Sequence, residues 1–210
     1  YRISVKREAD LPGGAPAGLV SNYLHDEVRE GDVLYVGPPC GEFVLDLQQP
    51  PTRPIALVSG GIGLTPLVSM LKSLAHHGVK TPVYFIHGAR NSRVHALAEE
   101  VRSLAAIHDN IQTHFRYDDP LADDLREKRC DSTGVVDVEL LRELLPGNDA
   151  DFYFCGPKPF MVGLYQGLTA WGVCEEQIHF EFFGPQQDLT TAAPATQVPH
   201  LRSRRAPQHV

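Results

Sequence analysis

Two short glycine-bearing segments carry the clearest chemistry in this chain: Gly60-Gly61-Ile62-Gly63-Leu64-Thr65-Pro66 and Cys155-Gly156-Pro157-Lys158-Pro159. Each follows an apolar run that reads as a strand and precedes a helical pattern. A strand that stops in glycines and reopens as a helix leaves backbone N–H groups without intrahelical acceptors, with the positive end of the helix dipole behind them. A pyrophosphate is bound in such a place, so the pair of loops points to a dinucleotide. The first loop is not a P-loop, since no Gly-Lys-Ser/Thr follows, and Pro66 stands where a strict GxGxxG would have its third glycine. Cys155 either lies against a nicotinamide ring or is a plain small hydrophobe, and with no base near it in sequence it is not read as a nucleophile. A third group, Glu181-Phe182-Phe183-Gly184-Pro185, closes the last apolar run. Its rings and carboxylate could border a flat aromatic cofactor, or the rings could serve only as core.

The elements that must position these groups fall into two regions and a tail. Residues 1–50 are short alternating segments broken by Gly and Pro, with Tyr1 to Arg7, Val33 to Val36 and Glu42 to Leu47 expected as antiparallel strands of a partial β-barrel. Gly18 to His25 is expected as a short helix. The link Gln49-Pro50-Pro51-Thr52-Arg53-Pro54 reads as a domain boundary. From Ile55 the rhythm becomes strand and helix in alternation. Five apolar runs, Ile55 to Ser59, Val83 to His87, Ile111 to Tyr117, Asp151 to Cys155 and Ile178 to Phe182, are apolar on both faces, which implies a parallel sheet covered on both sides. Between them, helical stripes run through Leu67 to Ala75, with Thr65 as start cap, Pro66 at the first helical position and Gly78 at the end, and through Ala96 to Ala106, Val138 to Leu145 and Phe160 to Trp171. The fold class is therefore α/β, a doubly wound five-stranded parallel sheet in the order 3-2-1-4-5. In that order the two glycine loops end neighbouring strands at the switch point, where ligands of open α/β sheets bind. Residues 51–189 form this second domain, and residues 190–210, without periodicity, are expected as a disordered tail.

Composition narrows the partners. A chain of 210 residues with 42% hydrophobic and 21% charged residues is that of a globular protein. A net charge of -7 and the absence of a long basic cluster argue against nucleic acid, and no stretch of about 18 apolar residues argues for a membrane span. Cys40, Cys130, Cys155 and Cys174 show no CxxC pair, so no metal is signalled and a reducing cytoplasm is expected. At the end of the second apolar run, where an acidic residue would hold an adenosine ribose, stands His87-Gly88-Ala89-Arg90-Asn91-Ser92-Arg93. Arg90 or Arg93 either meets a 2′-phosphate or is simply solvated, so the residues leave NADH and NADPH open.

The set Ser59-Gly60-Gly61-Ile62-Gly63-Leu64-Thr65-Pro66, Cys155-Gly156-Pro157 and Phe183-Gly184-Pro185 resembles the ferredoxin reductase-like flavoproteins. With Val20-Ser21-Asn22-Tyr23-Leu24-His25, Arg93-Val94-His95-Ala96 and Ile178-His179-Phe180-Glu181, it is similar more narrowly to the reductase portion of bacterial flavohemoglobins, the nitric oxide dioxygenases. The resemblance covers residues 1 to about 189. It implies a barrel for FAD, a following domain for NAD(P)H, with NADH favoured, and hydride transfer between them. By resemblance Gly60, Gly61, Ile62, Gly63, Leu64, Thr65, Gly156 and Pro157 bind the nicotinamide dinucleotide, with Cys155 near its nicotinamide. Val20 and Ser21 meet the FAD phosphates, and Phe182, Phe183, Gly184 and Pro185 the flavin. Glu181 matches a position that tunes flavin potential, because a negative charge disfavours an anionic reduced flavin. The family's Arg-x-Tyr-Ser segment, which stacks on and holds FAD, would lie upstream of Tyr1, and its globin domain with haem b would be a partner in cis. The expectation is thus a reductase portion truncated at its N-terminus. A stand-alone ferredoxin or flavin reductase, and a module that holds NAD(P)H without retaining FAD, are the alternatives.

Overall fold

The computed structural model describes residues 2–8, 17–38 and 40–183. Its centre is a parallel sheet of β1 (Ile55–Gly60), β2 (Val83–Ala89), β3 (Ile111–Tyr117), β4 (Ser132–Thr133), β5 (Asp151–Cys155) and β6 (Ile178–Glu181). The spatial order is β4-β3-β2-β1-β5-β6. The five expected runs thus take the expected order, and the two-residue β4 adds a sixth strand at the edge beside β3. Ser132 and Thr133 carry no apolar signal, since a strand this short is held by pairing to Arg116 and Tyr117 rather than by burial.

Alternate residues of each strand explain the layering. Ile55 and Leu57 of β1, Val83 and Phe85 of β2, and Phe115 of β3 face one core, closed by α2 (Leu64–His76) through Leu67, Leu71 and Leu74 and by α3 (Ala98–Ile107) through Val101. Ala56 and Val58, with Phe152 and Phe154 of β5, face the opposite core. It is closed by α5 (Val138–Leu144) through Leu140 and Leu141, and by α6 (Lys158–Ala170) through Met161, Leu164 and Leu168. A short α4 (Ala122–Arg126), absent from the sequence reading, links β3 to β4. Gly78 ends α2 at φ +64°, a conformation that favours glycine. The start of α2 differs from expectation. Its cap is Gly63 and its first residue Leu64, so Pro66 is the third helical residue, and the Thr65 hydroxyl donates to Ile62 O at 3.1 Å. A 3₁₀ turn over Gly61–Gly63 feeds the helix two residues earlier than a Thr65 cap would allow.

The expected short helix forms as α1 (Leu19–Asp26), with Gly18 as its cap. The three segments expected as antiparallel strands, 2–7, Val33–Val36 and Glu42–Leu47, are not strands among the described residues. Their alternation is physically real in one of them: Phe43, Leu45 and Leu47 pack on the α2-side core while Val44 and Asp46 are exposed. A strand also needs a neighbour for its backbone donors and acceptors, and none of the three segments pairs with a described strand. Instead α1 is tied to segment 2–8 by side chains. Arg7 makes a two-pronged contact with Asp26 at 2.6 and 2.9 Å, and Asn22 donates to Glu8 O and Gly18 O. Tyr1 and the tail 190–210 lie outside the described residues, as do Gly184 and Pro185.

Candidate dinucleotide site

The two glycine loops meet. β1 pairs with β5 so that Ser59 stands opposite Cys155, and the loops leave adjacent carboxyl ends. Gly63 makes the closeness possible: a Cβ there would fall on the Cys155 carbonyl and come within 2.7 Å of Gly156 N. A Cβ on Gly60 would meet Pro157 Cδ at 3.1 Å, and one on Gly156 would meet Gly60 N at 3.2 Å and the Phe160 ring at 2.6 Å. Three glycines, with Phe160 seated against two of them, therefore let two helix starts converge. Gly61 differs: its φ is +54° and no atom of the described residues lies within 4 Å of where its Cβ would stand. Its absent side chain leaves open space at the loop surface, the kind of cradle into which a phosphate group fits. Lys158, exposed and in no ion pair among the described residues, opens α6 beside the second loop.

A row of residues crosses the sheet beneath this junction: Glu181, Cys155, Ser59, His87 and Phe115 are successive register partners on β6, β5, β1, β2 and β3. Burial, with the Glu181 carboxylate adding to it, pushes the Cys155 thiol up to about 12. The Cys155 thiol is thereby held in its neutral form at neutral pH. Glu181 is exposed at the strand end, and its Oε1 accepts from Phe182 N at 3.1 Å. Phe182 packs partly into the α6-side core against Phe180, with ring centres 5.8 Å apart, whereas Phe183 is exposed. Ile62, Leu64 and Thr65 line the first loop, Leu64 buried under it.

Val20 and Ser21 lie in the first turn of α1, away from this row. The Ser21 hydroxyl accepts from Glu8 N at 3.2 Å and donates to Gly18 O at 3.1 Å, so it pins the turn to segment 2–8. Leu19, Val20 and Tyr23 are exposed, and Leu19 and Tyr23 line a groove of about 340 Å³ together with Gly18, Asn22 and Asp26.

Sequence reasoning missed several side chains here. His87 is fully buried, with Nδ1 2.8 Å from Ser59 Oγ. His95 is buried beside it, with rings 4.4 Å apart and Nδ1 2.8 Å from Tyr117 Oη. Burial lowers His87 to about 3 and His95 to about 4, the neighbouring imidazole adding to the first and Arg102 to the second. Asp124, also fully buried, accepts from Ser92 N at 3.2 Å and Leu121 N at 3.0 Å. Burial alone would raise its carboxyl, but these hydrogen bonds and the Arg129 charge bring it below the ordinary value. It clamps the turn after β2, where Arg90 pairs with Asp119 at 3.4 Å and Arg93 is exposed without an ion pair among the described residues. The run Val83 to His87 contained the one available signal, a His closing a buried strand. Among the described residues no group of His, Cys, Asp and Glu forms a metal site, and no helix is long and apolar enough to cross a membrane.

A parallel sheet wound in both directions from β1, with two glycine loops touching at its switch point, defines a doubly wound α/β protein whose ligand crevice lies outside the strand ends. The chain belongs to the oxidoreductase NAD-binding domain family, which matches residues 57–165, and within it to the reductase portion of the flavohemoproteins. It is 51% identical over 191 residues to the flavohemoprotein of Rhodopirellula baltica, covering 90% of this chain and 46% of that one. The chain thus spans about half the length of the curated relatives it matches. Among solved structures, the flavohem-like FAD/NAD binding domain of nitric oxide dioxygenase from Vibrio cholerae is similar with a TM-score of 0.72 and 35% identity, covering 86% of this chain and 70% of that one. The cytochrome b5 reductase domain of Ulva prolifera nitrate reductase, at 20% identity and a TM-score of 0.70 over 85% of this chain and 70% of that one, shares the fold.

Proposed function

We propose that the chain is the NAD(P)H-oxidising, flavin-reducing portion of a flavohemoprotein. The observation that carries the reading is the contact of Gly63 with the Cys155–Gly156 backbone, which brings two helix starts to one crevice. The residues present fit a dinucleotide: glycines that leave a cradle, two helices that begin directly after the glycine loops, and Lys158 at the start of α6 to offset phosphate charge. Gly60, Gly61, Ile62, Gly63, Leu64, Thr65, Gly156 and Pro157 would hold the nicotinamide dinucleotide. Cys155, kept neutral, would give an apolar surface for the nicotinamide end. Val20 and Ser21 at the start of α1, together with Phe182, Phe183, Gly184 and Pro185, would border FAD, and Glu181 would bias its potential by its charge. When bound, the two cofactors supply the redox chemistry, a hydride passing from nicotinamide to flavin. The protein's share is to orient the reacting faces and exclude water.

On this reading residues 1–50 belong to the flavin domain, 51–189 to the dinucleotide domain, and 190–210 to a tail without a role in catalysis. The relatives' printed names support a haem group and nitric oxide dioxygenation in a whole protein; on this reading the acceptor would be a haem-bearing globin domain in cis and the setting the cytoplasm. The exposed apolar face of α1 at Leu19, Val20 and Tyr23 favours a second reading for the chain alone, a dinucleotide module that does not retain flavin. An anaerobic visible spectrum of the chain with FAD, after desalting and then after NADH, tests both. A retained flavin band that bleaches supports the reductase, and loss of flavin on desalting supports the second reading. A retained band unmoved by NADH sinks the first.

A further inference from the structure

The carboxyl ends of β1, β2 and β3 hold a polar cluster inside the core that faces α2. Ser59, His87, His95 and Tyr117 are all buried, and they form two hydrogen-bonded pairs, Ser59–His87 and His95–Tyr117, joined through imidazole rings 4.4 Å apart. Phe115 meets the His95 ring edge to face at 4.5 Å, and Arg102 lies over Phe115 at 5.1 Å. Such a cluster is not built for stability. His87 Nε2 and His95 Nε2 are both buried without a hydrogen-bond partner among the described residues, and each such group carries a desolvation cost that an apolar ring would not.

What the cluster does have is position. Ser59 is the residue before Gly60, and His87 the residue before Gly88, which is the register partner of Gly60. The Ser59–His87 bond is therefore the last side-chain tie between β1 and β2 before the chain enters the first glycine loop. The His95 ring, tilted against it and itself held by Tyr117 of β3, limits rotation of the His87 ring. We propose that His87 is a positioning residue of the dinucleotide site, fixing through Ser59 the exit of β1 so that the Gly60–Gly63 backbone keeps its N–H groups aimed at the pyrophosphate. The proposal rests on the dinucleotide reading above. Pre-organised donors bind tighter because the cost of ordering them is met in the free protein.

The test is direct NADH binding to the 210-residue chain, followed by nicotinamide fluorescence and needing no flavin. His87→Phe removes the bond to Ser59 and one unpartnered nitrogen while keeping an aromatic ring. Because it removes the unpartnered Nε2 but leaves the Ser59 hydroxyl without its partner, it is expected to move the melting temperature little and to weaken NADH about ten-fold, a loss of about 1.4 kcal/mol. His87→Asn offers both a donor and an acceptor near Ser59 Oγ, so it serves whichever imidazole tautomer is native, and it should recover most of the affinity. Ser59→Ala should weaken NADH as much as His87→Phe, and the double variant no further, because both remove one bond. If His87→Phe and Ser59→Ala bind NADH as wild type does, positioning by His87 is wrong while the dinucleotide reading stands. If affinity falls only in step with melting temperature, and Asn does not rescue it, His87 is structural and the proposal fails. No NADH binding by wild-type chain would overturn the site reading and this proposal with it.

Discussion

Gly63→Ala isolates the contact on which the site depends. The added Cβ would land on the Cys155 carbonyl and 2.7 Å from Gly156 N, against ordinary carbon contacts of about 3.5–4.0 Å. These obstacles are backbone, not flexible side chains, and Cys155 is fixed by pairing to both β1 and β6. The loops must therefore part by roughly 1 Å, and overpacking of this kind costs about 1–3 kcal/mol or somewhat more. At the upper end the melting temperature should fall by about 6–12 °C for a domain of this size. Thermal unfolding followed by circular dichroism reads it, with Gly147→Ala as control: Gly147 is exposed, lacks a positive φ and has nothing within 4 Å of its Cβ position. NADH affinity should fall with Gly63→Ala in the fraction that remains folded. A Gly63→Ala protein that melts and binds like the Gly147→Ala control would refute the claim that these loops touch.

Stability should fall as pH drops from about 6.5 toward 4, because His87 and His95 are lowered to about 3 and 4 in the fold while the unfolded chain protonates near 6.5. The unfolded state then binds more protons, each unit of displacement is worth about 1.4 kcal/mol, and His87→Phe should flatten the urea midpoint against pH in this window. A midpoint equally steep in His87→Phe would place the acid sensitivity elsewhere. Gly163→Ala, at an exposed site inside α6 with open space around its Cβ position, should stabilise by about 0.5–1 kcal/mol in urea unfolding; a loss of stability would count against the helix there. Under native conditions Cys40 and Cys174 should label rapidly with a thiol reagent and Cys130 slowly. Cys155 should stay unlabelled until denaturant is added, as judged by mass spectrometry, and its rapid labelling would contradict its burial.

The parts of the fold that were legible in the sequence were those written in local chemistry. Leu57, Val58, Phe85, Ile86, Phe152 and Phe154 announce strands covered on both faces, and the pattern from Leu67 to Leu74 announces the helix that covers one of them. The glycine loops, being constraints on backbone shape, were legible too. What did not show was anything set by a distant partner. Phe43, Leu45 and Leu47 alternate as a strand does, yet pairing is a property of two segments, and one segment cannot display it. Phe160 read as one position in a helical stripe, while its seat against Gly60 and Gly156 depends on how α6 meets β1. The His87–Ser59 and His95–Tyr117 bonds join residues 28 and 22 positions apart, so no local window contains either pair. Nothing local sets Asp124 apart from its acidic neighbour Asp123, because only the fold brings the Ser92 amide to it.

If the two loops form one binding surface, an amide nitrogen–proton NMR titration of the chain with NADH will show the largest shifts together at Gly60, Gly61, Ile62, Gly63 and Gly156, saturating with a single affinity. Saturable shifts that spare these amides, or that touch one loop and leave the other unchanged, would contradict a single surface.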